Sequence, residues 1–300
     1  LRLWLSLTID EENYEKINTL PNLDYKILQG NSLFDDLGGS LINENSKKHQ
    51  FSFEDSFSQK DNLIDLYFQK IKEFDLLTHQ IQKKREREKI NDILKKIILT
   101  EIENIKNFDK KNPNLLQLEK NLEDLDKKIN DFFCWNIIFH KIFKNNGGFD
   151  IIITNPPYLR QEEFVHHKKR LEKKYDLFNS TSDLYTYFYE LSYKLLKNNG
   201  TSILITSNKW LRARYGKLLR IFFKKKVFIN EILNFGELKI FENAITNTNI
   251  TSFSKISSED EKFPYIELKK EHKNDNLTFF SKENSIQTKK KDLDEENFYF

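Results

Sequence analysis

The sequence FDIIITNPPYLR at residues 149–160 indicates the fold class of this chain. Residues 149–153 form a largely apolar run, which is typical of a parallel-sheet strand that is buried on both faces. The sequence Thr-Asn-Pro-Pro-Tyr follows at residues 154–158 and holds two of the five prolines in the chain. Two prolines can simply end a strand, but this does not explain a polar residue before them and an aromatic residue after them. We therefore predict a ligand site at the carboxyl end of this strand.

Patterns of strands and helices alternate downstream of this segment. Residues 182–197 are predicted to form a helix that ends at a Gly200 cap, and residues 211–225 form a predicted basic helix. Further predicted strands lie at residues 202–206, 229–235 (ended by Gly236), 244–255 and, far upstream, 25–29. Such alternation predicts an α/β domain with a mostly parallel sheet.

A different pattern occupies residues 61–131, where apolar residues recur every three or four positions among charged ones. The segment Asn112–Asn114 interrupts this pattern at a proline. We predict two long amphipathic helices, a hairpin inserted into the α/β domain. The charge run at residues 83–89 is predicted to be a solvent-exposed helix face rather than a DNA-binding patch.

The composition excludes several classes of protein. The chain has 300 residues, of which 32% are charged and 14% aromatic, and its formal net charge is +3. With one cysteine it can hold neither a disulfide framework nor a Cys-rich zinc site. No apolar run approaches the ~20 residues of a membrane span, and no signal peptide begins the sequence, so we expect a cytoplasmic protein without membrane contact. The near-neutral charge neither requires nor excludes a nucleic-acid partner.

The residues after the strand suit one kind of chemistry. An exocyclic amino group is a poor nucleophile because its lone pair is delocalised into the ring. The side-chain oxygen of Asn155 and the carbonyl of Pro156 can accept its two N–H bonds and localise that lone pair, and proline holds the backbone rigid. The ring of Tyr158 offers a surface on which an extruded base can stack. Methyl transfer of this kind needs in-line geometry and preorganised acceptors, with no covalent nucleophile.

The sequence at residues 155–158 resembles the catalytic motif of amino-methyltransferases that use S-adenosylmethionine, in its adenine-N6 form. Several other segments resemble the DNA methyltransferase region of type IIG restriction–modification enzymes, in the same order. These segments are residues 1–7, 27–33, 147–162, 182–188, 207–211, 215–220 and 235–244. The resemblance covers most of the chain except the helical hairpin.

This resemblance implies the fold and the partners. The expected fold is a partial Rossmann-like methyltransferase sheet, lacking strands at its N-terminal side, with the helical hairpin inserted. The expected cofactor is S-adenosylmethionine, and the expected substrate is double-stranded DNA with a flipped adenine. The resemblance assigns residues 155–158 (Asn155, Pro156, Pro157, Tyr158) to hold the adenine and Phe241 to pack against it.

The resemblance also implies where the cofactor lies. Gly30 and Asn31 would lie near the cofactor's adenine, although the family usually has an acidic residue where Asn31 stands. Asp183 is a candidate for the cofactor pocket, and the cap of the following helix is the alternative role for it. No metal site is expected, since His166 and His167 are adjacent on a predicted helix and point apart. Cys134 is expected to be a packing residue.

The family's Gly-rich cofactor loop is missing from the sequence, because no buried strand leads into Gly38-Gly39. We therefore expect a fragment that by itself binds S-adenosylmethionine weakly or not at all and methylates nothing, unless an upstream polypeptide completes the fold. The predicted parts are an incomplete catalytic domain at residues 1–58 and 132–255 and a helical insertion at residues 59–131. Residues 256–300 are predicted to lead into a target-recognition domain.

Two other functions remain open at this point. The same motif occurs in methyltransferases that modify a protein glutamine or a ribosomal-RNA guanine, because these nitrogens pose the same electronic problem. Alternatively, the chain is a non-catalytic remnant or subunit that binds a partner through the hairpin. Four basic residues following Trp210 have two interpretations, contact with DNA phosphates or a solvated helix face: Arg212, Arg214, Lys217 and Arg220.

Overall fold

A computed structural model describes residues 24–34, 54–108, 129, 133–238, 240–241, 247–256, 262–268 and 285–298. The chain divides into two compact units, residues 1–138 and residues 139–300. Each unit is described below by itself. Within the described ranges, no helix is long and apolar enough to cross a membrane. The predicted helix at residues 1–18 and the break at residues 112–114 lie outside them.

The first unit contains two long helices, α1 (Glu54–Asp75) and α2 (Gln80–Phe108), and a short helix α3 (Trp135–Ile138). Buried apolar side chains of the three helices form one cluster, which includes Ile64, Phe74, Ile97 and Ile137. Cys134 is buried in this cluster, as predicted. The charge run at residues 83–89 lies on α2 and is mostly solvent-exposed, which confirms the predicted exposed helix face.

The boundaries of these helices differ from the prediction in two ways. Helix α1 begins at Glu54 rather than near residue 59. The helical pattern is also interrupted at Leu76–His79, where the amides of Leu76 and Leu77 bond to carbonyls three residues earlier and tighten the end of α1. This turn contains neither glycine nor proline, so the sequence carries no strong signal for it.

The strand predicted at residues 25–29 is wrong. Residues 24–26 form a turn with Tyr25 at φ 61°, and the Tyr25 ring packs edge-on against Phe74 at 5.3 Å between centroids. Packing against the helices therefore replaces pairing in a sheet. Downstream, the side-chain oxygen of Asn31 accepts hydrogen bonds from the amides of Leu33 (3.1 Å) and Phe34 (3.2 Å), which is a turn and not a strand end.

The second unit is built on a six-stranded sheet, which confirms the predicted α/β class. Its strands are β1 (Phe149–Thr154), β2 (Leu196–Ser207), β3 (Phe228–Asn234), β4 (Thr248–Ser254), β5 (Lys262–Glu267) and β6 (Ile286–Lys289), in the order β1-β2-β4-β3-β5-β6. β1 pairs with β2, and β3 with β5, in parallel, whereas β4 pairs antiparallel with both β2 and β3. β5 and β6 are also antiparallel. Four of the six described strands, β1, β2, β3 and β5, run in the same direction, as predicted, whereas β4 and β6 run against them and make the sheet mixed.

Among the described residues of this unit, four α-helices accompany the sheet: α4 (His140–Asn146), α5 (Lys168–Lys174), α6 (Tyr185–Leu195) and α7 (Lys217–Lys226). The core of the unit is strongly aromatic. Trp210 stacks on Phe223 at 4.8 Å, and Tyr189 and Phe253 pack against the same pair. These side chains fix α6 and α7 to the sheet and so determine where the segments after β1 and β2 lie.

Helix α6 ends earlier than predicted. It ends at Leu195, and β2 begins at the next residue, so the expected cap at Gly200 is wrong. The amide of Asn199 bonds to the carbonyl of Lys255, and Gly200 accepts from the amide of Lys255, which places both residues in the sheet. Gly236, by contrast, has φ 53° and follows β3 as predicted.

Strand β1 is less buried than its sequence indicates. Ile151 is 63% exposed and Ile153 is 76% exposed, so the prediction of burial on both faces is wrong. Ile152, which alternates with them, packs against the core. Among the described strands β1 lies at an edge of the sheet, and its outward face is apolar although it is exposed.

The segment after residue 255 belongs to the same sheet. β5 and β6 extend it, and Phe298 is fully buried against Trp210. The predicted boundary at residue 256 is therefore not a boundary of the sheet. Lys290 is buried as well, and its ammonium group donates to the carbonyl of Val227.

Buried tyrosines predict an alkaline loss of stability. Burial raises the pKa of Tyr187, Tyr189 and Tyr265 to about 12, above the ordinary value of about 10. A raised pKa means that the unfolded chain loses these protons first, so stability is complete below about pH 10 and is lost as the pH rises towards 12. We expect urea midpoints that are constant from about pH 8 to 9 and fall above about pH 10. A midpoint that stays constant up to pH 11 would contradict the burial of these hydroxyls.

Candidate active site

The loop at residues 155–158 leaves the sheet at the carboxyl end of β1. Thr154, the last residue of β1, pairs with Leu204 of the parallel strand β2, so both strands end at the same edge of the sheet. Asn155 and Pro157 are exposed, whereas Pro156 is buried. The burial of Pro156 together with its fixed φ anchors the loop and leaves the Asn155 amide open to a ligand.

Tyr158 connects this loop to β2 and to Phe241. Its hydroxyl donates a hydrogen bond to the carbonyl of Ile205 at 3.3 Å. Its ring lies 6.1 Å from the ring of Phe241 between centroids, with 62° between the planes. Burial raises the pKa of Tyr158 to about 12, so the hydroxyl stays protonated at neutral pH. The structure therefore brings together the two aromatic residues that the sequence suggested for base stacking.

Asp183 lies next to the same loop. The amide of Leu184 donates to the carbonyl of Leu159 at 3.0 Å, which ties the start of α6 to the loop. The carboxylate of Asp183 is half-buried and accepts a hydrogen bond from the hydroxyl of Tyr215 at 3.2 Å. Partial burial raises the pKa of Asp183, while the bond from Tyr215 and the charge of Lys209 oppose the rise.

The alternative role of Asp183 as a helix cap is not observed. Helix α6 begins at Tyr185, its N-cap is Leu184, and no side chain caps it. The backbone carbonyl of Asp183 accepts from the amide of Thr186 instead, while its side chain contacts Tyr215. The side chain is therefore available to the site rather than to the helix end.

Gly30 and Asn31 lie in the first unit, and the structure gives them local roles. A Cβ atom at Gly30 would lie 2.3 Å from the Cβ of Phe133, so no larger residue fits there. The side-chain oxygen of Asn31, which the resemblance assigns to the cofactor's adenine, accepts from two backbone amides. The cofactor contact of both residues stays a prediction.

The sequence of this chain matches a known protein family. The profile of the Eco57I restriction-modification methylase family matches residues 1–241. The chain belongs to this family. This result confirms the resemblance to restriction–modification methyltransferases that the sequence motifs indicated.

Three relatives illustrate the similarity. The type II methyltransferase M.BstVI of Geobacillus stearothermophilus is 33% identical over 117 residues, which are 39% of this chain and 20% of that protein. M.BanIII of Aneurinibacillus aneurinilyticus is 38% identical over 98 residues, or 32% and 17% of the two chains. The restriction enzyme and methyltransferase RM.Eco57I of Escherichia coli is 28% identical over 132 residues, or 41% and 13%. The matched parts thus span a fifth or less of each relative.

Two hydrogen-bonded pairs of residues at this candidate site were not predicted from the sequence. Tyr215 and Tyr185 form a hydrogen-bonded pair behind Asp183. Asn208 and Asn234 join the ends of β2 and β3: the Asn208 amide nitrogen donates to the Asn234 side-chain oxygen at 2.9 Å. No local pattern marks these pairs, since each joins residues from different elements. Polar residues at the ends of predicted apolar strands are the sequence signal that could have indicated the pair of Asn208 and Asn234, because buried polar groups need hydrogen-bond partners.

The four basic residues after Trp210 do not form one surface. Arg212, Arg214 and Lys217 are exposed, and Lys217 pairs with Glu296. Arg220 is fully buried and donates to the carbonyls of Trp210, Ala213 and Glu295. Both interpretations of Arg220, as a phosphate contact and as a solvated residue, are therefore wrong. It joins three backbone segments.

The described residues fit the implied cofactor in one respect and offer no metal site. The second carboxylate oxygen of Asp183, Oδ1, has no hydrogen bond among these residues, and a half-buried acceptor beside the loop suits an N–H or O–H group of S-adenosylmethionine. Within the same residues, no three His, Cys, Asp or Glu side chains are grouped to hold a metal ion. His166 and His167 are both exposed.

Proposed function

We propose that the chain is part of a DNA methyltransferase of a restriction–modification system that methylates N6 of adenine with S-adenosylmethionine. The observation that carries this proposal is the pairing of Tyr158 with Phe241 beside the exposed amide of Asn155, where β1 and β2 end. Two aromatic rings and an open amide suit a flat ligand that carries an amino group. Membership of the Eco57I family supports DNA as the substrate.

The site residues act on the target amino group by hydrogen bonding. S-adenosylmethionine, when bound, supplies an electrophilic methyl group on a sulfonium. The side-chain oxygen of Asn155 and the backbone carbonyl of Pro156 accept the two N–H bonds of the amino group, and this concentrates the nitrogen lone pair on the attacking side. Because Pro156 and Pro157 fix the backbone of the loop, the carbonyl acceptor needs little reorganisation.

The aromatic pair, Tyr158 and Phe241, binds the target base and takes no part in methyl transfer itself. A base inside a duplex is out of reach of the site, so it has to leave the stack to reach the ring of Tyr158. Stacking on an aromatic ring is worth about 1–3 kcal/mol per base, which offsets part of the cost of unstacking. We assign Tyr158 and Phe241 to this role. Gly30, Asn31 and Asp183 remain proposed contacts of the cofactor.

The proposal is tested by methyl transfer from labelled S-adenosylmethionine to unmethylated duplex DNA. The assay combines the chain with the upstream polypeptide that is expected to complete the fold, and the cofactor is supplied at saturating concentration so that weak binding does not limit the rate. After digestion of the DNA, the deoxynucleosides are separated, and we expect the label in N6-methyl-2′-deoxyadenosine. Label in a cytosine or guanine product, or in the protein fraction, would contradict the assignment of adenine N6.

The alternative substrates are tested in the same assay. Ribosomal RNA and a protein extract replace the duplex as methyl acceptors, because guanine and glutamine nitrogens present the same electronic problem. We expect no label in either, since the family is one of restriction-modification methylases. A non-catalytic subunit would label none of the three acceptors at any cofactor concentration.

Two substitutions separate the ring of Tyr158 from its hydroxyl. Tyr158→Phe keeps the ring and loses the hydrogen bond to Ile205, so we expect kcat/KM to fall about 2–10-fold, the value of one ordinary hydrogen bond. Tyr158→Ala also loses the stacking surface, and a fall of about 10–100-fold is expected. Both rates are measured by methyl transfer, with the melting temperature as the control for folding. Equal losses in the two variants would show that stacking on this ring plays no part.

A further inference from the structure

Tyr215 contacts Asp183 from a different part of the chain. It lies in a single 3-10 turn, Arg214–Gly216, between the end of β2 and helix α7. Its hydroxyl is 3.2 Å from Asp183 Oδ2 and 2.9 Å from the hydroxyl of Tyr185, the first residue of α6. Tyr215 thus joins Asp183 and Tyr185, which are about 30 positions away in sequence, in one hydrogen-bonded row that ends beside the loop at residues 155–158.

The direction of these hydrogen bonds follows from their chemistry. An ionised carboxylate can only accept, so Tyr215 donates to Asp183. The hydroxyl of Tyr215 has then used its proton, and Tyr185 must donate to its oxygen. Tyr185 is 1% exposed, so water does not compete for this bond. A chain of donors in one direction strengthens each bond in it.

The backbone at Tyr215 is held rigidly. A Cβ atom at Gly216 would lie 2.2 Å from the carbonyl oxygen of Trp210, so the turn needs glycine for its close approach. Arg220 donates to the carbonyls of both Trp210 and Ala213, which brackets the residues before the turn. The Tyr215 hydroxyl is therefore fixed from its own backbone as well as from Tyr185.

We propose that Tyr215 is a positioning residue for the cofactor: it holds Asp183 Oδ2 so that Oδ1 accepts a hydrogen bond from an N–H or O–H group of S-adenosylmethionine. This inference rests on the proposed function. Two cations, Lys209 and Arg160, and one anion, Glu162, also act on Asp183. They influence the charge of the carboxylate, whereas the bond from Tyr215 fixes its orientation.

The test uses Tyr215→Phe in the full chain, with Tyr187→Phe as the matched control. The hydroxyl of Tyr187 donates a hydrogen bond to the carbonyl of Asn179 at 3.2 Å, and Tyr187→Phe removes this bond. This hydroxyl is not bonded to Asp183, so the control loses a comparable bond away from the carboxylate. Two quantities are measured: the dissociation constant of S-adenosylmethionine by calorimetry, and the pKa of the Asp183 carboxyl by NMR titration, with Asp183→Asn identifying its signal.

We expect Tyr215→Phe to weaken cofactor binding about 10-fold and to raise the pKa of Asp183, while Tyr187→Phe changes neither. In an Asp183→Asn background, Tyr215→Phe should have little further effect on binding. An unchanged pKa, or a binding loss of the same size in both backgrounds, would overturn the inference. If the wild-type chain binds no cofactor even when the upstream polypeptide is supplied, the proposed function fails by that result. The titration then decides alone whether Tyr215 holds Asp183.

Discussion

Asn155→Ala is expected to reduce kcat for methyl transfer by about 100- to 1,000-fold, the effect of removing one preorganised hydrogen-bonding group from a transition state. The side-chain oxygen of Asn155 is proposed to accept one of the two N–H bonds of the target amino group. Without it the nitrogen lone pair stays delocalised into the adenine ring. Because the side chain is exposed, we expect the melting temperature to stay within about 2 °C of the wild type.

Two further variants make this result specific. Asn155→Asp keeps an acceptor oxygen in place and should retain more activity than Asn155→Ala. Asn198→Ala removes an exposed asparagine amide from the opposite, amino end of β2 and should have full activity. The rates are measured at saturating S-adenosylmethionine and DNA, so that kcat and not binding is compared. Equal rates for Asn155→Ala and wild type would show that Asn155 takes no part in methyl transfer. The aromatic pair would then be supported only as a binding site for the base.

The location of this site was predictable because its signal is local. Residues 149–158 place a strand, a rigid turn and an aromatic residue in direct succession, and one loop carries them all. The pairing of Tyr158 with Phe241 was suggested by family resemblance rather than by any spacing, since 83 positions separate the two residues. The direct neighbours of Asp183 were not predictable by either route.

Sheet topology was harder to predict than strand existence. The pattern at residues 248–254 correctly indicates a strand, but nothing in it says that β4 runs antiparallel between β2 and β3. Likewise, the apolar residues of β1 indicate a buried strand, although Ile151 and Ile153 face outward. Apolar character indicates that a strand is compatible with burial. Which neighbours cover it is decided by long-range packing.

The segment at residues 25–29 shows how tertiary packing overrides local preference. Its apolar and aromatic residues suit a strand, yet Tyr25 packs on Phe74 of α1 and adopts a positive φ. The end of α6 shows the same effect. Residues 198–200 are typical of a helix end, but Asn199 and Gly200 form backbone hydrogen bonds with Lys255, which directly follows β4. In both cases a partner far along the chain decides the conformation.

The second large effect concerns folding and not chemistry. Arg220→Met is expected to lower the free energy of unfolding by about 3–5 kcal/mol, because three backbone carbonyls lose their donor at about 1–3 kcal/mol each and two of the three are only partly buried. Arg220 is fully buried, and its guanidinium donates to the carbonyls of Trp210, Ala213 and Glu295. Methionine fills a similar volume but leaves all three carbonyls without this donor, and the bond to the carbonyl of Trp210 is fully buried.

The position of these carbonyls explains why the effect should be large. Trp210 and Ala213 belong to the segment between β2 and α7, and Glu295 belongs to the last described segment, which packs on α7. Phe298 of that segment is buried against Trp210, and its amide bonds to the carbonyl of Leu211. Loss of Arg220 therefore loosens two segments at once, and the proposed position of Tyr215 depends on one of them.

Unfolding by urea, followed by far-ultraviolet circular dichroism, measures this effect. Lys226→Met is the matched control, because Lys226 is an exposed cation on the same helix and its loss should change stability by no more than about 0.5 kcal/mol. Arg220→Lys keeps the charge but offers a single ammonium group to three divergent carbonyls, so an intermediate loss is expected. A loss below about 1 kcal/mol in Arg220→Met would mean that water replaces the guanidinium at these carbonyls. In that case the turn at Tyr215 would be fixed mainly by the close approach of Gly216 to Trp210 and by the aromatic core.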